Sequence, residues 1–221
     1  MDFSILKGDE ERDRQIAEKE ERDEFERRET KLMQHFRVSG IGERYLSITK
    51  DSFDLSNENF KHNYEIVLRY INAVHDRNSA CNLVLHGTSN GTGKTALSAL
   101  ICRECYGVYT HLYNICNELE DARKFSSSRT RVEVLARYTT ASMLIIDEVA
   151  RDASPDEKAV LFQIIDRRYS DCLPTVLVSN LEKGKLKDWF GNATLERIGE
   201  CGAFISFDNI PSYREVLKER K

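Results

Sequence analysis

Residues 83–101 read LVLHGTSNGTGKTALSALI. The short aliphatic run Leu83–Leu85 has the composition of a buried strand, and it passes through a turn holding Gly87, Gly91 and Gly93 directly into helix-forming residues. Strand, glycine-rich turn and helix, with Gly93-Lys94-Thr95 at the junction, form the context of a phosphate-binding P-loop. Glycine lets successive backbone N–H groups turn inward around phosphate oxygens, and the helix N-terminus adds its partial positive charge. Lys94 then reaches the β- and γ-phosphates, and the Thr95 hydroxyl suits Mg2+. The run Gly87, Thr88, Ser89, Asn90, Gly91, Thr92, Gly93, Lys94 and Thr95 is therefore the expected nucleotide cradle. One position departs from the strict spacing: Thr88 stands six residues before Lys94, where the pattern has glycine, and Gly87 precedes it. A turn one residue longer at its start is expected.

A second chemical signal lies where Ser142–Ile146 runs as a buried strand into Asp147 and Glu148. Packing alone does not favour two adjacent acids at the end of such a strand. Beside a phosphate turn, Asp147 can hold Mg2+ and Glu148 can take a proton from an attacking water. Further apolar runs, VYTHLY at 108–113, TVLVS at 175–179 and AFISF at 203–207, alternate with helical stretches. The region from about 113 to 138 reads as helical. Residues 61–77 repeat apolar side chains with helical period, at Tyr64, Val67, Leu68, Ile71 and Val74. This alternation predicts an α/β fold, a parallel sheet covered by helices on both faces.

The chain has 221 residues, with 33 basic and 37 acidic side chains. Residues 1–36 hold 8 and 12 of these, so residues 37–221 carry 25 of each, and the net charge of −4 sits in the first 36 residues. Residues 9–34 contain no Gly or Pro and pair opposite charges at i,i+4 spacing, which predicts one long helix. Its apolar residues are too sparse for a core-facing stripe, so a solvated helix or a partner-docking arm over 1–36 is expected, with Phe25, Leu32, Met33 and Phe36 as candidate anchors. Residues 37–60 read as an irregular connector and 61–221 as the core. No apolar run approaches the roughly 18 to 20 residues that span a bilayer, and the amino terminus has no signal-peptide pattern, so a cytoplasmic protein without a membrane partner is expected. The six cysteines are expected to be free thiols, and Cys102 with Cys105 lacks the second pair that a zinc site needs.

Several motifs follow one another in order: GTSNGTGKT; MLIIDEVARDAS with EKAVLFQIIDRRYSDCLPTVLVSN; and FGNATLERIGECGAFISFDNIPSYR. Through them, about residues 40–221 resemble the DnaC/IstB-type AAA+ ATPases, particularly the DnaC-type loaders of the replicative helicase. The resemblance implies a P-loop AAA+ five-stranded parallel sheet, ATP and Mg2+ as ligands, and ATP hydrolysis. It maps a sensor 1 asparagine onto Asn180, an arginine finger serving a neighbouring subunit onto Arg197, and a sensor 2 arginine onto Arg214. With Glu148 these form the expected catalytic set, while Thr95 and Asp147 hold the metal. Fourteen residues follow the AFISF run, so no full lid domain is expected. Gly199 stands where a second arginine is often found in these loaders.

The same resemblance implies contact with single-stranded DNA between the second and third core strands, where Arg123, Lys124, Arg129 and Arg131 lie near Phe125. Basic side chains beside an aromatic suit a phosphate-tracking surface. It further implies self-association in the ATP state and docking of residues 1–36 on a replicative hexameric DNA helicase. ATP-dependent loading of that helicase onto single-stranded DNA is the expected function. Two other readings stay open, an IstB-like transposition ATPase acting on duplex DNA and an ATP-sensing binding module that needs no turnover. Glu148 separates the last from an ATPase.

Overall fold

A strand that is aliphatic on both faces needs cover on both faces, and the chain supplies it. The computed structural model describes residues 3–76, 82–150, 153–200 and 202–213. Strands β1 (Leu83–His86), β2 (Val108–His111), β3 (Leu144–Val149), β4 (Thr175–Ser179) and β5 (Ala203–Ser206) form one parallel sheet in the order β2-β3-β4-β1-β5. Leu83 pairs in register with Val176 on one side and Ala203 on the other. Strand β1 is therefore an interior strand, between β4 and the edge strand β5, with the glycine-rich turn at the carboxyl ends of the strands. In open parallel sheets that edge is where ligands bind.

Alternation along the strands sorts the core into two layers. Leu83, Leu85, Ile145 and Val178 pack with Phe36 of α1 (Phe3–Val38), Phe60 and Val67 of α2 (Glu58–His75), and Leu97 and Leu100 of α3 (Lys94–Glu104). Val84, Ile146 and Leu177 face the other way. They meet α4 (Leu112–Asp121), α5 (Arg131–Thr139), α6 (Pro155–Ser170), α7 (Lys183–Phe190) and α8 (Asn192–Glu200). Local chemistry sets the helix starts. Thr130 with Glu133, and Ser154 with Glu157, form reciprocal capping boxes, and Pro155 occupies the first turn of α6. The region expected to be helical to about 138 is broken at residues 122–130, between α4 and α5.

The long charged helix is present, but its carboxyl end belongs to the core. Leu32 and Phe36 are buried and Met33 packs partly against the same cluster, so three of the expected partner anchors are satisfied within the chain. Glu29 pairs with the buried Arg103 of α3 at 2.6 Å, His35 Nε2 lies 3.1 Å from the Gly107 carbonyl, and Tyr109 of the edge strand donates its backbone N–H to Ser39. Of the four anchors, only Phe25 remains open to solvent, at 64% exposure. The connector is likewise absorbed: Ile41 and Ile48 are buried, and α2 begins at Glu58. Core packing thus crosses both of the expected boundaries.

No described helix is long and apolar enough to cross a membrane. Cys102, Cys105, Cys116 and Cys172 are free, and burial pushes the Cys102 and Cys105 thiols up to about 12. Among the described residues, no three His, Cys, Asp or Glu side chains gather as a metal cluster.

Arg168 is fully buried at the opposite end of the strands from the glycine turn. Its guanidinium donates to Thr175 Oγ1 at 2.9 Å and to the carbonyls of Tyr138, Ala141 and Pro174 at 2.8, 2.7 and 2.6 Å. It joins α6 to the end of α5 and to the approaches of β3 and β4. Burial lowers its pKa to about 10, so it remains charged at neutral pH. Arg168→Met keeps much of the volume but removes the donor to the Tyr138 and Ala141 carbonyls and leaves Pro174 with the Leu144 N–H alone, so we expect a loss of about 3 kcal/mol in denaturant unfolding. ATP affinity of the folded variant should stay near wild type.

Candidate nucleotide-binding site

The site begins at the turn between β1 and α3. Gly91 and Gly93 adopt φ of +77° and +97°, the left-handed region where a side chain would be strained. A Cβ on Gly93 would also lie 2.7 Å from the Phe60 ring. Gly93 caps α3, whose first residues are Lys94 and Thr95. Lys94 is buried, and its ammonium donates to the carbonyls of Gly87 and Ser89 at 2.9 and 2.7 Å. Desolvation lowers its pKa, with Asp208 and Asp147 opposing the shift.

The carboxylate of Asp147 stands across the turn, 4% exposed. It accepts hydrogen bonds from Thr95 Oγ1 at 3.0 Å, from the Tyr109 hydroxyl, and from the Glu148 backbone N–H at 2.7 Å. Burial and this carboxylate together push the Tyr109 phenol well above its ordinary range, so it remains a donor. A hydroxyl and a carboxylate oxygen 3.0 Å apart match the spacing of neighbouring oxygens around Mg2+, about 2.9 Å for bonds of about 2.05 Å. Thr95 and Asp147 therefore fit that ion.

A bulge places the second acid. The β3–β4 register runs regularly to Ile146 and Leu177 and resumes at Val149 and Ser179, so β3 carries one extra residue at Asp147-Glu148. Glu148 has φ +55° and Ala150 +71°, both left-handed without glycine. Such strain persists where surrounding structure holds it, often at functional positions. Glu148 Oε2 lies 4.0 Å from His111 Nδ1 at the end of β2.

These groups line one cavity of about 910 Å³. Asn90–Thr95, Asp147, Glu148 and Asn180 form one part of its wall. Residues absent from the expected site complete it: Arg44, Tyr45, Phe53 and Asp54 of the connector, Phe60, and Tyr213 near the carboxyl end. Arg44, Tyr45, Phe53, Asp54 and Phe60 carry no motif of their own and arrive from a distant part of the chain, whereas Tyr213 stands in the FISFDNIPSYR run. The single signal for the first five was the scatter of isolated aromatics in residues 37–60.

Other expected residues fall elsewhere. Thr88 does not offer its N–H to the cavity, because that N–H donates to Asp208 Oδ1 at 2.7 Å; Gly87, Thr88 and Ser89 do not line the cavity. Arg197, on α8, does not line the cavity and pairs with Asp166 of α6. Arg214 lies outside the described residues. Arg123, Lys124 and Arg129 occupy the exposed segment between α4 and α5, Arg131 begins α5, and Phe125 projects fully into solvent. That basic strip is partly neutralised: Lys124 pairs with Asp121 at 2.5 Å, and Arg129 with Glu118 at 3.3 Å.

The sheet order, the lysine in its glycine turn and the paired acids define a P-loop nucleotide-binding protein of AAA+ type. The model of the IstB-like ATP binding protein family matches residues 18–198, and the chain belongs to that family. It is 25% identical over 205 residues to the replicative helicase loader DnaC of Buchnera aphidicola (subspecies Acyrthosiphon pisum), covering 86% of this chain and 80% of that one. The crystal structure of the DnaC helicase loader superposes with a TM-score of 0.63 at 18% identity, over 75% of this chain and 99% of that chain. AMPPCP-bound DnaA from Aquifex aeolicus gives 0.61 at 22% identity, over 82% and 56%.

Replacing Lys94 by Ala removes the one ammonium seated in the turn. We expect ATP affinity to fall by about 100-fold or more in titration calorimetry, since a charge-assisted contact to phosphate is lost. Wild-type affinity in that variant would contradict the assignment of the turn.

Proposed function

We propose that this chain is an ATPase that loads a replicative DNA helicase onto single-stranded DNA. The convergence of Lys94, Thr95, Asp147, Glu148 and Asn180 on one cavity carries the reading. Likeness to helicase loaders over four-fifths of a relative's length supports the choice of partner. Lys94 and the turn's N–H groups bind the triphosphate. Thr95 Oγ1 and Asp147 would hold Mg2+, which would neutralise phosphate charge. Glu148 takes the proton of the attacking water, and the Asn180 amide orients that water.

Arg197 stands outside its own chain's cavity, which suits a finger presented to the nucleotide of a neighbouring copy in the ATP state. Its partner Asp166 is about half exposed, so little free energy holds it in place. Arg214 is assigned the sensor 2 role. The segment with Arg123, Lys124, Phe125, Arg129 and Arg131 is the proposed single-stranded DNA surface. An exposed ring for base stacking and cations for phosphate support it. The second reading, an IstB-like transposition ATPase acting on duplex DNA, draws only on the IstB-like name of the family. Turnover and helicase capture measured with single-stranded and duplex DNA separate the two.

Glu148→Gln is expected to bind ATP normally and to lose turnover by about 10²- to 10³-fold, as for removal of a general base. Undiminished turnover would remove Glu148 from that role. The helicase contact is assigned to the part of α1 ahead of Glu29, because Leu32 and Phe36 are committed to the core. Deletion of residues 1–25, which removes the exposed Phe25, should leave the melting temperature within about 2 °C and abolish co-migration with the helicase hexamer on a sizing column. Deletion of residues 1–36 should destabilise the ATPase core itself, by about 3–5 kcal/mol for Phe36 alone.

A further inference from the structure

The departure at Thr88 has a structural counterpart 120 residues away. Just after β5, the Asp208 backbone N–H meets Ser206 Oγ at 3.3 Å, and the Ser206 hydroxyl donates to Asp208 Oδ2 at 2.9 Å, which orients the carboxylate. The other oxygen, Oδ1, accepts the Thr88 N–H at 2.7 Å and the Thr88 hydroxyl at 3.2 Å. Gly87 takes φ +143°, and a Cβ there would lie 3.1 Å from Asp208 Oδ1 and from the Asp208 and Phe207 backbone. Thr88 itself keeps an ordinary φ. The conformational demand that the strict motif places on glycine has moved one residue back, to where the chain crosses the end of β5.

The same segment grips the turn again further along. The Tyr213 backbone N–H donates to the Gly91 carbonyl at 3.0 Å, and its hydroxyl donates to the Asp54 carbonyl at 2.7 Å. Its ring meets the edge of Phe60, the residue lying beneath Gly93. Residues 207–213 therefore run as a strap behind the glycine turn, tied at its start and at its middle. The Thr88 N–H, as leading contributor, holds the Asp208 carboxyl below the usual carboxylate range.

We propose that Asp208 is a positioning residue for nucleotide binding: it clamps the start of the glycine turn to the end of β5 and replaces the glycine missing at position 88. The inference rests on the reading of this cavity as the nucleotide site. Asp208 touches no phosphate; it sets the path on which Gly91, Gly93 and Lys94 present their donors. Removing it should weaken binding of ATP and ADP alike and leave the bound complex competent.

The test measures ATP and ADP affinity by titration calorimetry, steady-state kcat and KM, and amide hydrogen exchange of the turn, in wild type, Asp208→Ala and Asp208→Asn. In Asp208→Ala we expect Kd and KM to rise about tenfold with kcat within about twofold, and the Thr88 amide to exchange faster. Asp208→Asn retains an acceptor for the Thr88 N–H and should restore affinity to within about threefold of wild type. Unchanged affinity in Asp208→Ala, equal losses in both variants, or a fall in kcat alone would overturn the proposal. Should Asp208→Ala not fold, exchange in the wild-type protein still decides, because an unprotected Thr88 amide refutes the clamp. Failure of the wild-type chain to bind ATP would instead refute the nucleotide site.

Discussion

A carboxylate shut away from water must be met by donors, and around Asp147 that requirement organises the site. Burying an unmatched charge costs several kcal/mol, so the surrounding elements have to arrive with hydrogen-bond donors at the right places. Tyr109 comes from β2, Thr95 from the first turn of α3, and the Glu148 N–H from the bulge within β3 itself. One side chain thereby joins the edge strand, the glycine turn and the strand that carries both acids. Glu148 owes its left-handed backbone and its outward aim to the same bulge.

The turn also depends on elements outside the phosphate-binding motif and the acidic pair. The 207–213 segment holds its start and middle, Phe60 supports Gly93, and connector residues close the wall. An ordinary connector followed by a core does not describe this arrangement. Ile41 and Ile48 of the connector pack in the same core cluster as Phe207 and Ile210 after β5, although far apart in the chain.

How far the site was legible depended on how local its chemistry is. That Lys94, Thr95, Asp147 and Glu148 would meet at one cavity was readable because glycine spacing and strand-end acids are short-range patterns with few packing explanations. Tyr109 was not, since a tyrosine in VYTH is ordinary strand composition until β3 lies beside it. Nothing near Asp208 in the sequence ties it to Thr88, and the oddity at Thr88 was visible without its remedy. Long-range pairs of this kind leave no periodic trace.

The amino-terminal helix draws the same line. Charge pairing and the absence of Gly and Pro determined that residues 9–34 form one helix, since those preferences act within a few residues. Which of its few apolar side chains meet the chain's own core was decided by tertiary packing: Leu32 and Phe36 are buried while Phe25 is open. The sequence by itself determined the parallel α/β alternation and the strand, glycine turn and helix that seat Lys94, because both reside in contiguous residues. The tertiary structure alone decided the bulge that aims Glu148, the partners of Asp147 and the strap on Thr88. Each of those depends on which strands become neighbours, and that choice is made by burial across the whole sheet.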